Sequence, residues 1–370
     1  MHKLTSWVAF LLVLGLVYQA SAQVVLPNKD SVSLPKRNRL LIFPITSRTP
    51  ETSWAFGFAG AYIFHAHSRT DTVTRTSTIP FGGLYTLNKQ IVFGLGANIF
   101  FPGEKYVIRM ENSFSSFPDK FWGIGNQTAE SNLEKYEFKQ FYINPILLRK
   151  IYRKFFLGLS YEYQKVYDFS YEAGGRFDVD NVPGRSGSAV SGLGLVLSRD
   201  SRNNAYSPTK GSLLQFTYTV FNSRLGSQFN YQTYELDVRK FFKTSPKHVL
   251  GIQTIGTFTN GNVPFRSLAV IGSASIMRGY YSGRFRDKNL LATQVEYRVP
   301  IWWRLGVVGF AGIGQVSEKI EDMNLRNFKY SVGAGIRLAL LQQERFNLRL
   351  DYGFGNNNAQ AFYVVVSEAF

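Results

Sequence analysis

Residues 291–301 read LATQVEYRVPI. In an extended chain Thr293, Val295, Tyr297 and Val299 fall on one face, and Gln294, Glu296 and Arg298 on the other. Alternation with a period of two marks a strand whose two faces meet different surroundings. The pattern recurs elsewhere. Phe216, Tyr218 and Val220 oppose Gln215, Thr217 and Thr219. Tyr234, Leu236 and Val238 oppose Glu235, Asp237 and Arg239, while Leu348, Leu350 and Tyr352 oppose Arg349 and Asp351.

The N-terminal end says where such strands would be used. Met1–Lys3 is short and basic, Trp7–Tyr18 is almost wholly apolar, and Ala20-Ser21-Ala22 is a small-x-small site. This is the pattern of a secretory signal peptide over 1–22, with the mature chain expected to begin at Gln23. The apolar run is too short to span a bilayer as a helix, and no later segment holds the ~18 consecutive apolar residues a membrane helix needs. The chain has no cysteine, hence neither disulfides nor thiolate metal ligands nor a lipid-modified cysteine. Hydrophobic residues make up 45% of the sequence and aromatics 16%, with 33 glycines, which together suggest an outer-membrane β-barrel. A secreted soluble β-sandwich or barrel would share these features, so strand length has to decide.

Several alternating segments run past the about 9–11 residues that a tilted membrane strand needs, as in 132–149, 154–172 and 228–242. Short connections such as 149–154 and 244–246 alternate with long ones such as 173–187 and 260–288, as periplasmic turns and outer loops do in bacterial barrels. Sixteen strands are expected near 39–47, 53–65, 73–86, 90–101, 104–114, 132–149, 155–172, 188–199, 210–221, 228–242, 247–259, 289–299, 304–316, 328–341, 345–355 and 361–370. An even number suits closure. Pro44 interrupts the first, and proline is confined to strand ends and edges. The expected fold is all-β: a transmembrane antiparallel β-barrel over 39–370, preceded by a polar tail at 23–38 carrying Pro27 and Pro35. Phe362, Val364 and Val366 alternate toward Phe370, as in the C-terminal signal of barrel substrates, with Glu368 breaking the apolar face.

One stretch does not alternate. Residues 276–289, IMRGYYSGRFRDKN, hold Arg278, Arg284, Arg286 and Lys288 among three aromatics and two glycines. Here the chain resembles the BamA/TamA family of outer-membrane assembly barrels, also called bacterial surface antigen barrels. Arg278-Gly279-Tyr280 is similar to the family's Arg-Gly-Phe/Tyr motif in the sixth external loop. Glu296, Arg298 and Pro300 match its Glu-x-Arg-x-Pro strand. Phe310-Ala311-Gly312-Ile313-Gly314 stands where the family reads Phe-x-Asp-x-Gly, with Gly312 in place of the aspartate. The turn SRDSRNNAYSPTKGS resembles the family's Asp-x-Arg-Asp…Pro-x-x-Gly turn through Asp200, Pro208 and Gly211. FPDKFWGIGN (117–126) and TPETSWAFGF (49–58) resemble stretches of short members, so the resemblance covers nearly the whole mature chain. It implies that the loop folds back into the lumen and that Arg278 meets an acidic group on the inner wall, for which only Glu296 matches. It also implies POTRA domains before the barrel, for which the residues between Gln23 and the first strand are too few. The alternative is a solvated external loop, basic because it faces anionic lipopolysaccharide.

Catalytic and metal chemistry finds little footing. His65 and His67 share a strand face, but no nearby cysteine or carboxylate completes a metal site. His248 lies by a short turn, and no histidine joins a recognisable serine motif of a phospholipase. The glycines of GLGANIF and GAGIR belong to strands rather than phosphate loops. No enzyme activity, cofactor or metal is expected. The formal charge of +17 would suggest nucleic acid, but export argues against it, and anionic lipid and a charged lumen account for it better. The leading expectation is a barrel that inserts or translocates client outer-membrane proteins through a weak seam between its first and last strands, with a periplasmic or lipoprotein partner replacing the POTRA domains. The alternative is a passive channel constricted by the loop.

Overall fold

The computed structural model describes residues 38–66, 71, 74–204, 207–341, 346–366 and 368–370. The expected signal peptide, all of the tail but Asn38, and His67 lie outside the described residues. Eighteen strands follow in chain order. The first eleven are β1 (Arg39–Thr49), β2 (Ser53–Phe64), β3 (Ser77–Thr86), β4 (Ile91–Phe100), β5 (Tyr106–Phe121), β6 (Glu134–Tyr152), β7 (Phe155–Tyr171), β8 (Ser188–Asp200), β9 (Gly211–Phe221), β10 (Tyr231–Lys243) and β11 (Val249–Gly261). Then come β12 (Ala269–Ile271), β13 (Phe285–Asp287), β14 (Asn289–Trp302), β15 (Leu305–Ser317), β16 (Lys329–Leu341), β17 (Phe346–Gly355) and β18 (Gln360–Val366). Sixteen of them close into one antiparallel barrel in sequence order, with β11 beside β14 and β18 beside β1. The remaining two, β12 and β13, pair as a small ribbon inside the loop from β11 to β14.

The alternation of the sequence is the inside and outside of this wall. Val295 and Tyr297 are exposed on the outer face, while Gln294, Glu296 and Arg298 are buried within. Leu193, Leu195 and Leu197 stand outside, with Val196 and Ser198 buried on the other face. Closure gives every strand a neighbour on both sides, which satisfies most backbone donors and acceptors without water; the β18–β1 contact is the short one.

Three strand limits differ from expectation for physical reasons. β5 runs on through Pro118 to Phe121, not stopping near residue 114. Proline lacks a donor, but its carbonyl still accepts, here from Gln90 Nε2 at 3.0 Å. β1 likewise continues through Pro44, which pairs opposite Phe58. β18 stops at Val366 rather than running to 370. Beyond it Glu368 and Phe370 are buried against the inner wall, drawn there by Arg337 and Phe241.

The long loops 122–133, 172–187, 262–288 and 318–328 gather at one end, and two-residue turns at 153–154 and 303–304 lie at the other. The alternation of short and long is incomplete: 65–76 and 201–210 lengthen the turn end, and the hairpins at 50–52, 87–90 and 356–359 of the loop end are short. The loop end is filled. A short helix, α1 (Arg176–Val179), lowers Phe177 against Phe121 and Phe265, with ring centroids 4.4 and 5.2 Å apart, and Tyr136, Val182 and Val263 pack around them. Burying such rings inside the barrel stabilises the loops by about 1.5–3 kcal/mol each.

Candidate functional site

The loop 262–288 turns into the barrel and lays residues 277–281 against β15, β16 and β17. Arg278, 1% exposed, places its guanidinium between two carboxylates. Glu296 Oε2 of β14 accepts from it at 2.7 Å, and Asp351 Oδ2 of β17 at 2.6 Å. The guanidinium carbon lies 3.5 Å from the centre of the Phe310 ring, a cation–π stack. The ladder explains how one side chain reaches both acids. Glu296, Phe310, Gly333 and Gly353 lie in one row across β14 to β17. Arg298, Val308, Gly335 and Asp351 form the next row toward the turn end. A side chain at Gly333 would strike Phe310, and one at Gly335 would strike Asp351. The glycines of GAGIR thus leave room for the stack and for the second acid.

Gly279 follows at φ +119°, where a Cβ would come within 2.8 Å of the Phe354 carbonyl carbon. Gly353 faces it, with a Cβ there 2.7 Å from the Arg278 carbonyl carbon. The loop and the wall touch through backbone, which only two glycines allow. Tyr363 of β18 then grips the loop: its Oη accepts from Gly279 N–H at 3.0 Å and donates to Tyr280 O at 3.1 Å. Tyr280 Oη donates to the Tyr330 carbonyl at 2.7 Å and accepts from Asn356 N–H at 2.7 Å. Ser282 N–H donates to the Glu51 carboxylate in the β1–β2 hairpin, so the loop ties both sides of the β18–β1 seam. Burial pushes the Glu51 carboxyl up from its ordinary value.

These charges continue toward the turn end. Arg298 Nε donates to Glu296 Oε1 at 2.7 Å, and Arg337 reaches Glu296, Asp351 and Glu368. Arg349 Nη1 donates to Asp351 Oδ2 at 2.9 Å. Four arginines therefore share three carboxylates in the buried inner wall, and neither Arg278 Nε nor Arg349 Nε finds a protein hydrogen-bond partner among the described residues. Buried charges of this kind hold only as a set, because each lost carboxylate strands its arginines.

The model of the Omp85 superfamily domain matches residues 75–370. The chain belongs to the Omp85 superfamily. BamA from Haemophilus ducreyi lacking POTRA domains 1–3 has a similar fold, with a TM-score of 0.57 at 13% identity, over 93% of this chain and 74% of that one. CdiB from Acinetobacter baumannii gives a TM-score of 0.58 at 12% identity, over 89% of this chain and 59% of that one. CdiB from Escherichia coli gives 0.59 at 8% identity, over 90% and 63%. No curated protein matches the chain by sequence.

Within the Omp85 barrel the other singled-out residues separate into two groups. Phe310 stacks on Arg278, while Gly312 and Gly314 face Met277 of the loop, whose sulfur would lie 3.2 Å from a Cβ at 312. The position where the resemblance calls for an aspartate thus makes room for a thioether, and Asp351 carries the second carboxylate from β17. The expectation that only Glu296 serves Arg278 is corrected by that pair. Pro300 stands exposed near the 303–304 turn and takes no part. At the turn end Asp200 meets Arg75 at 2.8 Å and Arg202 at 3.0 Å. Gly211, at φ +99°, lies against the Ser201 carbonyl. The Pro208 carbonyl accepts from Arg298 Nη1 at 3.3 Å, which joins that turn to the luminal network; residues 205–206 between them lie outside the described residues.

Sequence reasoning missed Asp351, Arg337, Arg349, Tyr363 and the roles of Gly333 and Gly353. Alternation had put Arg349 and Asp351 on one face, and that polar face was the available signal. Among the described residues no group of three or more histidines, aspartates and glutamates could hold a metal ion. His65 Nε2 lies 3.3 Å from Thr76 Oγ1, and His248 Nδ1 is 2.9 Å from Tyr297 Oη.

Proposed function

We propose that this Omp85 barrel sits in the bacterial outer membrane and admits client protein chains, for insertion or translocation, at the seam between β1 and β18. One observation carries the reading. β1 pairs with β2 along all eleven of its residues, but among the described residues it pairs with β18 only at Arg48↔Val364. Toward the turn end β18 stops and its continuation turns inward. Among the described residues the β1 edge that runs toward Arg39 is left without a β18 partner, with Leu40 and Ile42 exposed beside it. An unpaired edge is a template on which an extended segment can add as a strand. The solved BamA and CdiB barrels share the fold, which supports the reading without fixing the client.

The docked loop and the aromatic fill of the loop end weigh against a passive channel, which would conduct steadily.

The test is a reversible lock. The native chain has no cysteine, so Arg48→Cys with Val364→Cys has no background thiols. Adjacent strands in this register bring Cα atoms within the about 4.4–6.8 Å that a disulfide spans. The locked barrel is expected to keep its compact gel mobility, to lower the level of folded client barrels in the outer membrane, and to recover with reductant. Full client levels with the seam quantitatively locked would sink the reading.

A further inference from the structure

The two-residue turns at the turn end are built alike. Ile151-Tyr152-Arg153-Lys154 joins β6 to β7, and Ile301-Trp302-Trp303-Arg304 joins β14 to β15. Each follows a one-residue register shift and carries its first turn residue at positive φ, Arg153 at +45° and Trp303 at +49°. Each holds apolar side chains outward, with Tyr152 60% and Trp302 71% exposed. A soluble rim would not spend its tips this way, whereas aromatic and cationic tips are what a membrane interface favours.

The first turn borders a cavity of about 490 Å³ lined by Tyr152, Arg153, Lys154, Phe155 and Arg199. Three of its five residues are cationic. Among the described residues none of these three meets a carboxylate; Arg199 Nη1 donates to Ser212 Oγ at 3.2 Å, and its guanidinium lies 5.6 Å from the Phe155 ring centre. The neighbouring Asp200 is spent on the opposite face, on Arg75 and Arg202. Above the cavity the outer face changes character by rows. Phe155 pairs opposite Arg199, Leu157 opposite Leu197, and Leu159 opposite Leu195. All four leucines are exposed. Successive rows stand roughly 6.6 Å apart, so a leucine track about two rows long begins where the cations end.

We propose that this cavity binds the phosphate headgroup of an anionic phospholipid whose acyl chains lie along Leu157, Leu159, Leu195 and Leu197. Arg153, Lys154 and Arg199 surround the phosphodiester with unneutralised donors, and an arginine fork matches phosphate oxygens two at a time. Basic pockets between membrane helices bind anionic headgroups by the same chemistry. An acidic protein partner would be served by the cations but not by the leucine track. The short-turn end faces the periplasmic side of bacterial barrels, so the site addresses the phospholipid leaflet rather than lipopolysaccharide. The assignment rests on the membrane placement proposed above.

The test is native mass spectrometry and titration of the full purified chain in detergent with dimyristoyl phosphatidylglycerol. The comparison probes are dimyristoyl phosphatidylcholine, inorganic phosphate and lipid A. Wild type is expected to retain phosphatidylglycerol in preference to phosphatidylcholine. Arg153→Gln with Lys154→Gln and Arg199→Gln should weaken it by about a hundredfold, a factor of about five per cation. Lys89→Gln with Arg224→Gln, two exposed cations of the loop end, should leave it unchanged. If the triple variant loses its compact mobility, Arg199→Gln alone carries the test, with an expected drop of about fivefold. Equal binding by wild type and variant, equal binding of phosphatidylcholine, full displacement by inorganic phosphate, or loss of lipid A alone would each overturn the site. Failure of the wild-type barrel to co-float with any vesicle would instead overturn the membrane placement.

Discussion

Arg278 donates to Asp351 at 2.6 Å across 73 residues of sequence, and the accepting carboxylate stands three strands from Glu296. The arginine is therefore held from two sides of the inner wall, and its loop cannot shift along either strand without stranding one acid. Each acid gathers three arginines: Arg278, Arg298 and Arg337 converge on Glu296, and Arg278, Arg337 and Arg349 on Asp351.

Charge removal should separate these roles. Arg278→Ala leaves two buried carboxylates short of a partner and is expected to cost about 3–5 kcal/mol. Glu296→Gln and Asp351→Asn should each cost a similar amount within that range, since each strips three arginines. The temperature at which compact gel mobility is lost reports each. A double variant of Arg278→Ala with Asp351→Ala that is no worse than the worse single would establish direct coupling. Additive losses would show that the two side chains do not act together.

Glycine substitutions test the backbone contact without touching charge. Gly279→Ala faces both a φ of +119° and the Phe354 carbonyl carbon at 2.8 Å. Strain of about 1–3 kcal/mol is expected, together with faster trypsin cleavage after Arg284 and Lys288. Gly353→Ala should do the same from the wall side. Unchanged cleavage in both would mean that the loop does not lie against β17.

The loop end carries a proton-linked group. Asp287 of β13 is 5% exposed, and its burial, aided by Glu318 and Asp322 and opposed by Lys288, pushes its carboxyl up to about 6. Its folded value lies above the unfolded ~3.9, so the docked loop binds this proton more tightly than the undocked chain. The stabilisation is complete below about pH 4 and is lost as pH rises through 6. The midpoint temperature for loss of compact mobility should fall between pH 4.5 and 7.5, and Asp287→Asn should remove that fall. An identical slope in the variant would assign the proton elsewhere.

Much of this barrel was legible because its wall has two unlike faces. Val295 and Tyr297 had to differ from Glu296 and Arg298, and the alternation gave strand positions to within a few residues for most strands. Alternation says which face a residue takes but not which strand will stand opposite. Asp351 could be placed inside the barrel, yet its meeting with Arg278 depends on registers across β14 to β17 and on glycines that bring the loop close. Arg337 was hidden in GAGIR, where the glycines read as strand filler rather than as clearance for Phe310 and Asp351. Pro44 misled in one direction only: it removes a donor from its strand and does not end it.

The end of the chain is where pattern and contact disagreed most, and it is open to a direct test. Phe362 and Val364 continue toward Phe370 as though one outward strand ran through. Glu368 decides otherwise. Its carboxylate accepts from Arg337 Nε at 2.8 Å and from Asn347 Nδ2 at 2.6 Å, a position reachable only inside the barrel. Phe370 follows it to Phe241, with ring centroids 6.1 Å apart, and its carbonyl accepts from Arg298 Nη2 at 3.0 Å. At 4% exposure Phe370 is a core residue of the lumen. Phe370→Ala should cost about 3–5 kcal/mol of barrel stability and lower the yield of folded barrel. Phe241→Ala should produce a similar loss, and the pair together should be less than additive. Glu368→Gln should weaken the same dock by leaving Arg337 a carboxylate short, whereas Phe362→Ala, on β18 itself, should not couple to Phe241→Ala. The decisive measurement is the double-variant cycle on folded yield and unfolding temperature. Independent effects of Phe370 and Phe241 would show that the segment lies outside the lumen and acts along the strand.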